Sequence, residues 1–171
     1  PTISRRQRQM CIRDSYGTGR LNGRSESLLG GFIEALPASR RSQLVVATKL
    51  APFPWRQGRR GLDRAFNASQ KRLGGYLKRV QLHWSTARYA PWQEAALLDG
   101  LADLVQAQQV DELGVSNVGP RRLRWMQARL SERGVKLSSV QIQWSLLSPG
   151  VAPAQELLDL CQSLDIDCLL Y

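Results

Sequence analysis

The feature that most constrains this chain is a recurring run of apolar residues that ends in a group able to bind or react. Leu44-Val45-Val46-Ala47-Thr48 ends at Lys49, and Val80-Gln81-Leu82 ends at His83, the only histidine of the sequence. Asp111-Glu112-Leu113-Gly114-Val115 ends at Ser116-Asn117, Ser138-Ser139-Val140 at Gln141, and Ile166-Asp167-Cys168-Leu169-Leu170 at Tyr171. Helix-length amphipathic stretches separate the runs, and strands joined through helices pair in parallel. The runs read as apolar on both faces, as a sheet covered by helices requires. The expected class is α/β, with about five parallel strands alternating with helices.

The text between the runs supports this alternation. Ser15 to Glu26 is a glycine-rich loop holding Tyr16, and Ser25 reads as an N-cap. Leu28, Leu29, Phe32, Ile33 and Leu36 follow at helical spacing, and Pro37 stops the helix. Pro52-Phe53-Pro54-Trp55 reads as a rigid loop able to wall a pocket. The spacing predicts helices over 62–73, closed by Gly74-Gly75, and over 92–108, with Leu97, Leu98, Leu101, Leu104 and Val105 inward. Two more helices are expected, one from Pro120 to about Arg133, capped by Gly134, and one from Pro153 to Leu164.

Composition narrows the function classes. No apolar run approaches the ~20 residues that cross a bilayer, and the start lacks the apolar core of a secretory signal, so a cytoplasmic protein without membrane contact is expected. Cys11, Cys161 and Cys168 are odd in number and lack CxxC spacing, which argues against metal ligation and a disulfide framework. The formal charge of +10 raises nucleic-acid binding. The arginines are nonetheless spread among glutamines and leucines without a nucleic-acid motif, so no such partner is expected and the surface reads as solvated.

Residues 1–14 read differently from the rest. Arg5 to Asp14, RRQRQMCIRD, resembles one reading-frame translation of a transposase-type sequencing adapter, and the segment is expected to be non-native and disordered. Removing its four arginines and one aspartate leaves a formal charge of +7. The domain expected is 15–171.

In a parallel barrel, reactive groups sit at the C-terminal ends of the strands. That rule gathers Tyr16, Lys49, His83, Ser116, Asn117, Gln141 and Tyr171 around one mouth. A tyrosine there can protonate a developing alkoxide if an ammonium and an imidazole stabilise its phenolate. Five strands are too few for a closed eight-stranded barrel of roughly 250 residues. A doubly wound sheet is the other arrangement, but its Gly-x-Gly-x-x-Gly turn is missing.

The stretches SYGTGRLNGRSE, VVATK, VQLHW, LGVSN and VQIQWSLL, in this order, resemble the aldo-keto reductases. The resemblance implies a partial (β/α)8 TIM barrel, truncated at both ends, running from the loop after the family's second strand through its seventh. It also implies NADPH as cofactor and reduction of aldehydes and ketones, small-molecule carbonyl substrates, to alcohols. Carried over by residue, Tyr16 matches the family's general acid, with Lys49 and His83 beside it. Ser116, Asn117 and Gln141 match the groups that hold the nicotinamide carboxamide, and Tyr171 the aromatic on which the ring stacks. Trp55 and Trp84 fall where the family lines its substrate pocket.

Two departures qualify the implication. Five residues before Tyr16, where the family has an aspartate that pairs with the lysine, this chain has Cys11; Asp14 is too close to Tyr16 to replace it. The region that holds the adenosine 2′-phosphate in the family would follow Tyr171. The chain by itself is therefore expected to be inactive and, with open sheet edges, poorly soluble. The alternative is a nucleotide-binding regulatory subunit of the same fold that does no chemistry.

Overall fold

The alternation folds into a single parallel sheet. A computed structural model describes residues 9–11, 24–142 and 152–170. In chain order the elements are β1 (Gln9–Cys11), α1 (Arg24–Glu34), α2 (Ala38–Arg41), β2 (Val45–Leu50), α3 (Gly58–Arg72) and β3 (Leu77–Leu82). They continue with α4 (Pro91–Gln106), β4 (Glu112–Ser116), α5 (Pro120–Ser131), β5 (Ser139–Ile142), α6 (Ala152–Leu164) and β6 (Asp167–Leu170). The strands lie side by side in sequence order, all parallel, as consecutive strand–helix units of a barrel do. The five expected strands are present. Gln9–Cys11, within the segment set apart as non-native, pairs as a sixth, with Cys11 opposite Ala47.

The strands are not apolar on both faces, and this corrects the sequence reading. Val46, Leu50, Val80, Leu82, Leu113, Val115, Val140 and Ile142 point to one face. There they join Leu29 and Ile33 of α1, Phe66 of α3, Leu98 and Leu101 of α4, Leu123 and Met126 of α5 and Leu157 of α6 in one core cluster. Each fully buried leucine contributes about 2 kcal/mol to this packing. The register puts the alternate positions on the other face: Lys49 is paired with Gln81, Gln81 with Gly114, Gly114 with Ser139, and Ser116 with Gln141. That face is polar and nearly as buried. Part of it is satisfied from within: Gln81 Nε2 donates to Ser139 Oγ at 3.2 Å, and Arg79 pairs with Glu112 and, at 3.8 Å, with Asp167.

One irregularity sets which side chains reach that face. Val46 pairs with Leu77 but Ala47 with Arg79, so Lys78 is an extra residue, a β-bulge in β3. Leu77 faces the helices, Lys78 faces solvent and pairs with Asp111 at 3.2 Å, and Arg79 and Gln81 turn to the polar side.

The helices depart from expectation mainly at their ends. Ser25 lies inside α1, one residue past its start, and so does not cap it. Of the apolar stripe on α1, Leu29 and Ile33 are buried while Leu28, Phe32 and Leu36 are exposed. The turn of α2 after Pro37 was not expected, α3 begins four residues before Leu62, and Val105 is only half-buried. Gly74 (φ 64°), Gly75 (φ 83°) and Gly134 (φ 69°) adopt the left-handed conformation their capping places demand.

Candidate active site

The polar face and the strand ends bring four of the expected residues together. Lys49 is the fifth residue of β2, His83 directly follows β3, Ser116 ends β4 and Gln141 lies in β5; their relative exposures are 3, 3, 0 and 6 %. Tyr16 and Tyr171 lie outside the described residues. Lys49 and His83 each have an interaction partner besides those described below. Ser116 Oγ is buried and has no hydrogen-bond partner among the described residues.

Asn117 holds three strand ends together. It is exposed, with a left-handed backbone (φ 57°) that asparagine tolerates better than most residues. Its Nδ2 donates to the His83 carbonyl at 3.1 Å, and its own N–H donates to the Gln141 carbonyl at 3.0 Å. The His83 N–H in turn donates to the Leu50 carbonyl at 3.1 Å. The ends of β2, β3, β4 and β5 are thus tied in a row.

An aromatic wall borders this row. The His83 and Trp84 rings lie 4.8 Å apart, Trp84 meets Phe53 edge-on at 5.7 Å, and Phe53 stacks on Trp55 at 4.6 Å with 13° between the planes. Trp55 and Trp84 are therefore linked through Phe53, and Trp55 is 64 % exposed, its ring open to whatever approaches. The Arg56 guanidinium lies over Phe53, 5.1 Å from its ring centre, while its Nη1 donates to the Ala51 carbonyl at 2.9 Å. Tyr89 ties the two loops that carry the wall: its hydroxyl accepts from Trp84 Nε1 at 2.7 Å and donates to the Pro52 carbonyl at 3.1 Å. Phe53, Arg56 and Tyr89 were missed as site residues. Phe53 sits in the expected wall loop, but no sequence signal marks Tyr89, because its role exists only once two loops meet.

Behind the wall, buried Glu94 at the start of α4 accepts from the Thr86 N–H at 3.0 Å and pairs with Arg122 of α5. Burial lowers the pKa of that guanidinium. Its carbon lies 3.9 Å from the Trp125 ring centre. The loop that follows His83 is thereby anchored to two helices. Among the described residues no group of histidine, cysteine and carboxylate side chains could hold a metal ion, and no helix is long and apolar enough to cross a membrane.

Consecutive parallel strands with their helices on one face, and polar groups gathered at the strands' C-terminal ends, define a domain of the (β/α)-barrel type. The model of the Aldo/keto reductase family matches residues 14–171, and the chain belongs to that family. It is 46 % identical over 161 residues to the chloroplastic pyridoxal reductase of Arabidopsis thaliana, a match spanning 92 % of this chain and 44 % of the relative. Among solved structures, an aldo/keto reductase from Klebsiella pneumoniae in complex with NADP and acetate superposes with a TM-score of 0.70 at 25 % identity. That match covers 88 % of this chain and 49 % of the other. An aldo-keto reductase from the same organism in complex with NADPH gives 0.69 at 26 % identity, over 88 % and 49 %. The chain thus spans less than half the length of these relatives.

Proposed function

We propose that this segment belongs to an NADPH-dependent reductase of aldehydes and ketones. The observation that carries the reading is Ser116 Oγ, a buried hydroxyl without a partner among the described residues, next in register to Gln141. A group so held has a donor and an acceptor to offer an amide, which fits a nicotinamide carboxamide, and the NADP- and NADPH-bound relatives support the same cofactor. Ser116 and Gln141 would hold that carboxamide, Asn117 would assist while fixing the strand ends, and Tyr171 would stack on the ring. Bound NADPH supplies a hydride to the carbonyl carbon. Tyr16 gives its phenolic proton to the carbonyl oxygen, while the ammonium of Lys49 and the imidazole of His83 stabilise the phenolate left behind.

For the substrate we propose an aldehyde borne on a flat aromatic ring. The Phe53–Trp55–Trp84 wall suits ring stacking, and the name of the Arabidopsis relative, pyridoxal reductase, points to such a compound. For the compartment we propose an aqueous one: the sequence reading favours the cytoplasm, the relative's name the chloroplast.

In a chain extended to the length of its relatives, Tyr16→Phe is expected to lower kcat for pyridoxal by roughly 10²–10⁴-fold while leaving NADPH affinity unchanged. An unaltered kcat would remove Tyr16 as the acid. A second reading, a nucleotide-binding subunit without chemistry, rests on Cys11, which occupies the last position of β1, where the family resemblance calls for aspartate. NADPH binding without turnover of any aldehyde would favour it.

A further inference from the structure

The two cysteines near the end of the chain have no part in the proposed reduction, yet the fold sets them face to face. Asp165 (φ 53°) turns the chain sharply after α6, and the Ile166 N–H closes the turn on the Cys161 carbonyl at 2.8 Å. β6 therefore runs back along α6. Cys161 is 2 % exposed in the core, and Cys168, half-buried and in register with Val140, packs against the same core from the strand. The thiols are both free and hydrogen-bonded to each other, Cys161 donating to Cys168 Sγ.

We propose that Cys161 and Cys168 are a hydroperoxide-oxidisable dithiol, a modification site that closes into a disulfide pinning α6 to β6. The asymmetry of the pair assigns the order of events. The hydrogen bond from Cys161 favours the thiolate of Cys168, against burial and the neighbouring charge of Asp167, and Cys168 is the more exposed of the two. Donating that bond, together with burial, holds Cys161 in its thiol form. The Cys168 thiolate attacks one oxygen of a hydroperoxide; the O–O bond breaks, the alcohol or water departs with a proton, and Cys168 carries a sulfenic acid. Cys161 then attacks the Cys168 sulfur. The S–S bond forms as the S–O bond breaks, and water leaves with the Cys161 proton. Two thiols lose two electrons and the peroxide bond gains them. Closure draws the two sulfurs together across one tight turn, where both side chains already pack on the same core cluster.

The test treats the chain carrying Cys11→Ser with hydrogen peroxide, in buffer and in urea, and then blocks remaining thiols with an alkylating agent. No lysine or arginine follows Lys136, so the tryptic peptide 137–171 holds both cysteines. The expected product has lost two hydrogens and taken no alkyl group; after cleavage at Asp165 its halves stay joined until a dithiol reductant is added. Closure is expected about tenfold faster in the folded chain than in urea. Cys161→Ser is expected to stop at a sulfenic acid on Cys168 that dimedone captures, and Cys168→Ser to leave Cys161 unmodified. Oxidation of Cys168 to the sulfinic acid without linkage would overturn the proposal. So would closure at equal rates in buffer and urea, or a bond to Cys11 in the unaltered chain.

Discussion

At the scale of single residues, the polar face depends on a missing side chain. Gly114 lies between Gln81 and Ser139, and the Gln81 side chain crosses over it to reach Ser139. A Cβ at 114 would stand 2.4 Å from Ser139 Oγ and 2.9 Å from Gln81 Cγ. Gly114→Ala is therefore expected to cost about 2 kcal/mol in urea unfolding, and Ser139→Gly in the same chain to restore part of it. A wild-type midpoint for the single variant would refute the crossing. The glycine was visible in the sequence only as one letter of an apolar run; its reason lies on two neighbouring strands. Lys49, His83, Ser116 and Gln141 were legible for the opposite reason. Parallel strands end on one side of a sheet, so chemistry at strand ends converges whatever the details of packing. Tyr89 escaped because its partners, Trp84 and the Pro52 carbonyl, belong to loops whose meeting no periodicity records.

At the scale of elements, three helices share one carboxylate. Asp99 of α4 accepts from Arg129 of α5 at 3.1 and 2.8 Å, and pairs with Arg59 of α3 at 3.3 Å. Arg133, just past α5, donates to the Asp99 carbonyl at 2.9 Å. Burial alone would raise the Asp99 pKa, but the bonds from Arg129 and Arg59 outweigh it and bring the group below its ordinary 3.8. A depressed folded-state pKa means that stability is fully present above that ordinary value and is lost as the pH falls through the lowered one. Asp99→Asn is expected to lose about 1–2 kcal/mol near neutral pH, and the gap to the native chain to close in acid. Urea titrations at neutral and strongly acidic pH measure it, and a gap that persists in acid would show that the ion pairs contribute nothing. The helices themselves were legible from punctuation: Pro120 opens α5, and Gly74, Gly75 and Gly134 follow helix ends. The α2 turn and the first turn of α3 were not, since their residues, Ala38–Arg41 and Gly58–Gly61, show no apolar period and are placed by what flanks them.

For the molecule as a whole, the order of strands was legible through the family resemblance, since a (β/α) barrel sets successive strands side by side, as they are found here. The two faces of the sheet were not, because Gln81, Ser139 and Gln141 sit inside apolar runs and read as minor interruptions. The bulge at Lys78 has a consequence for how the chain tolerates change. In a sheet, losing one residue ordinarily sends every later side chain to the wrong side. β3 holds one residue more than its partner requires, so deleting Lys78 would bring Leu77 and Arg79 into simple alternation opposite Val46 and Ala47, with Gln81 and His83 still aimed as before. Deleting Val80 would turn Leu82 into the polar face and His83 toward the helices. The first chain is expected to unfold cooperatively near the native temperature and the second to lose its cooperative transition, so β3 carries a single spare residue at a place where evolution can add or remove a letter without moving the histidine.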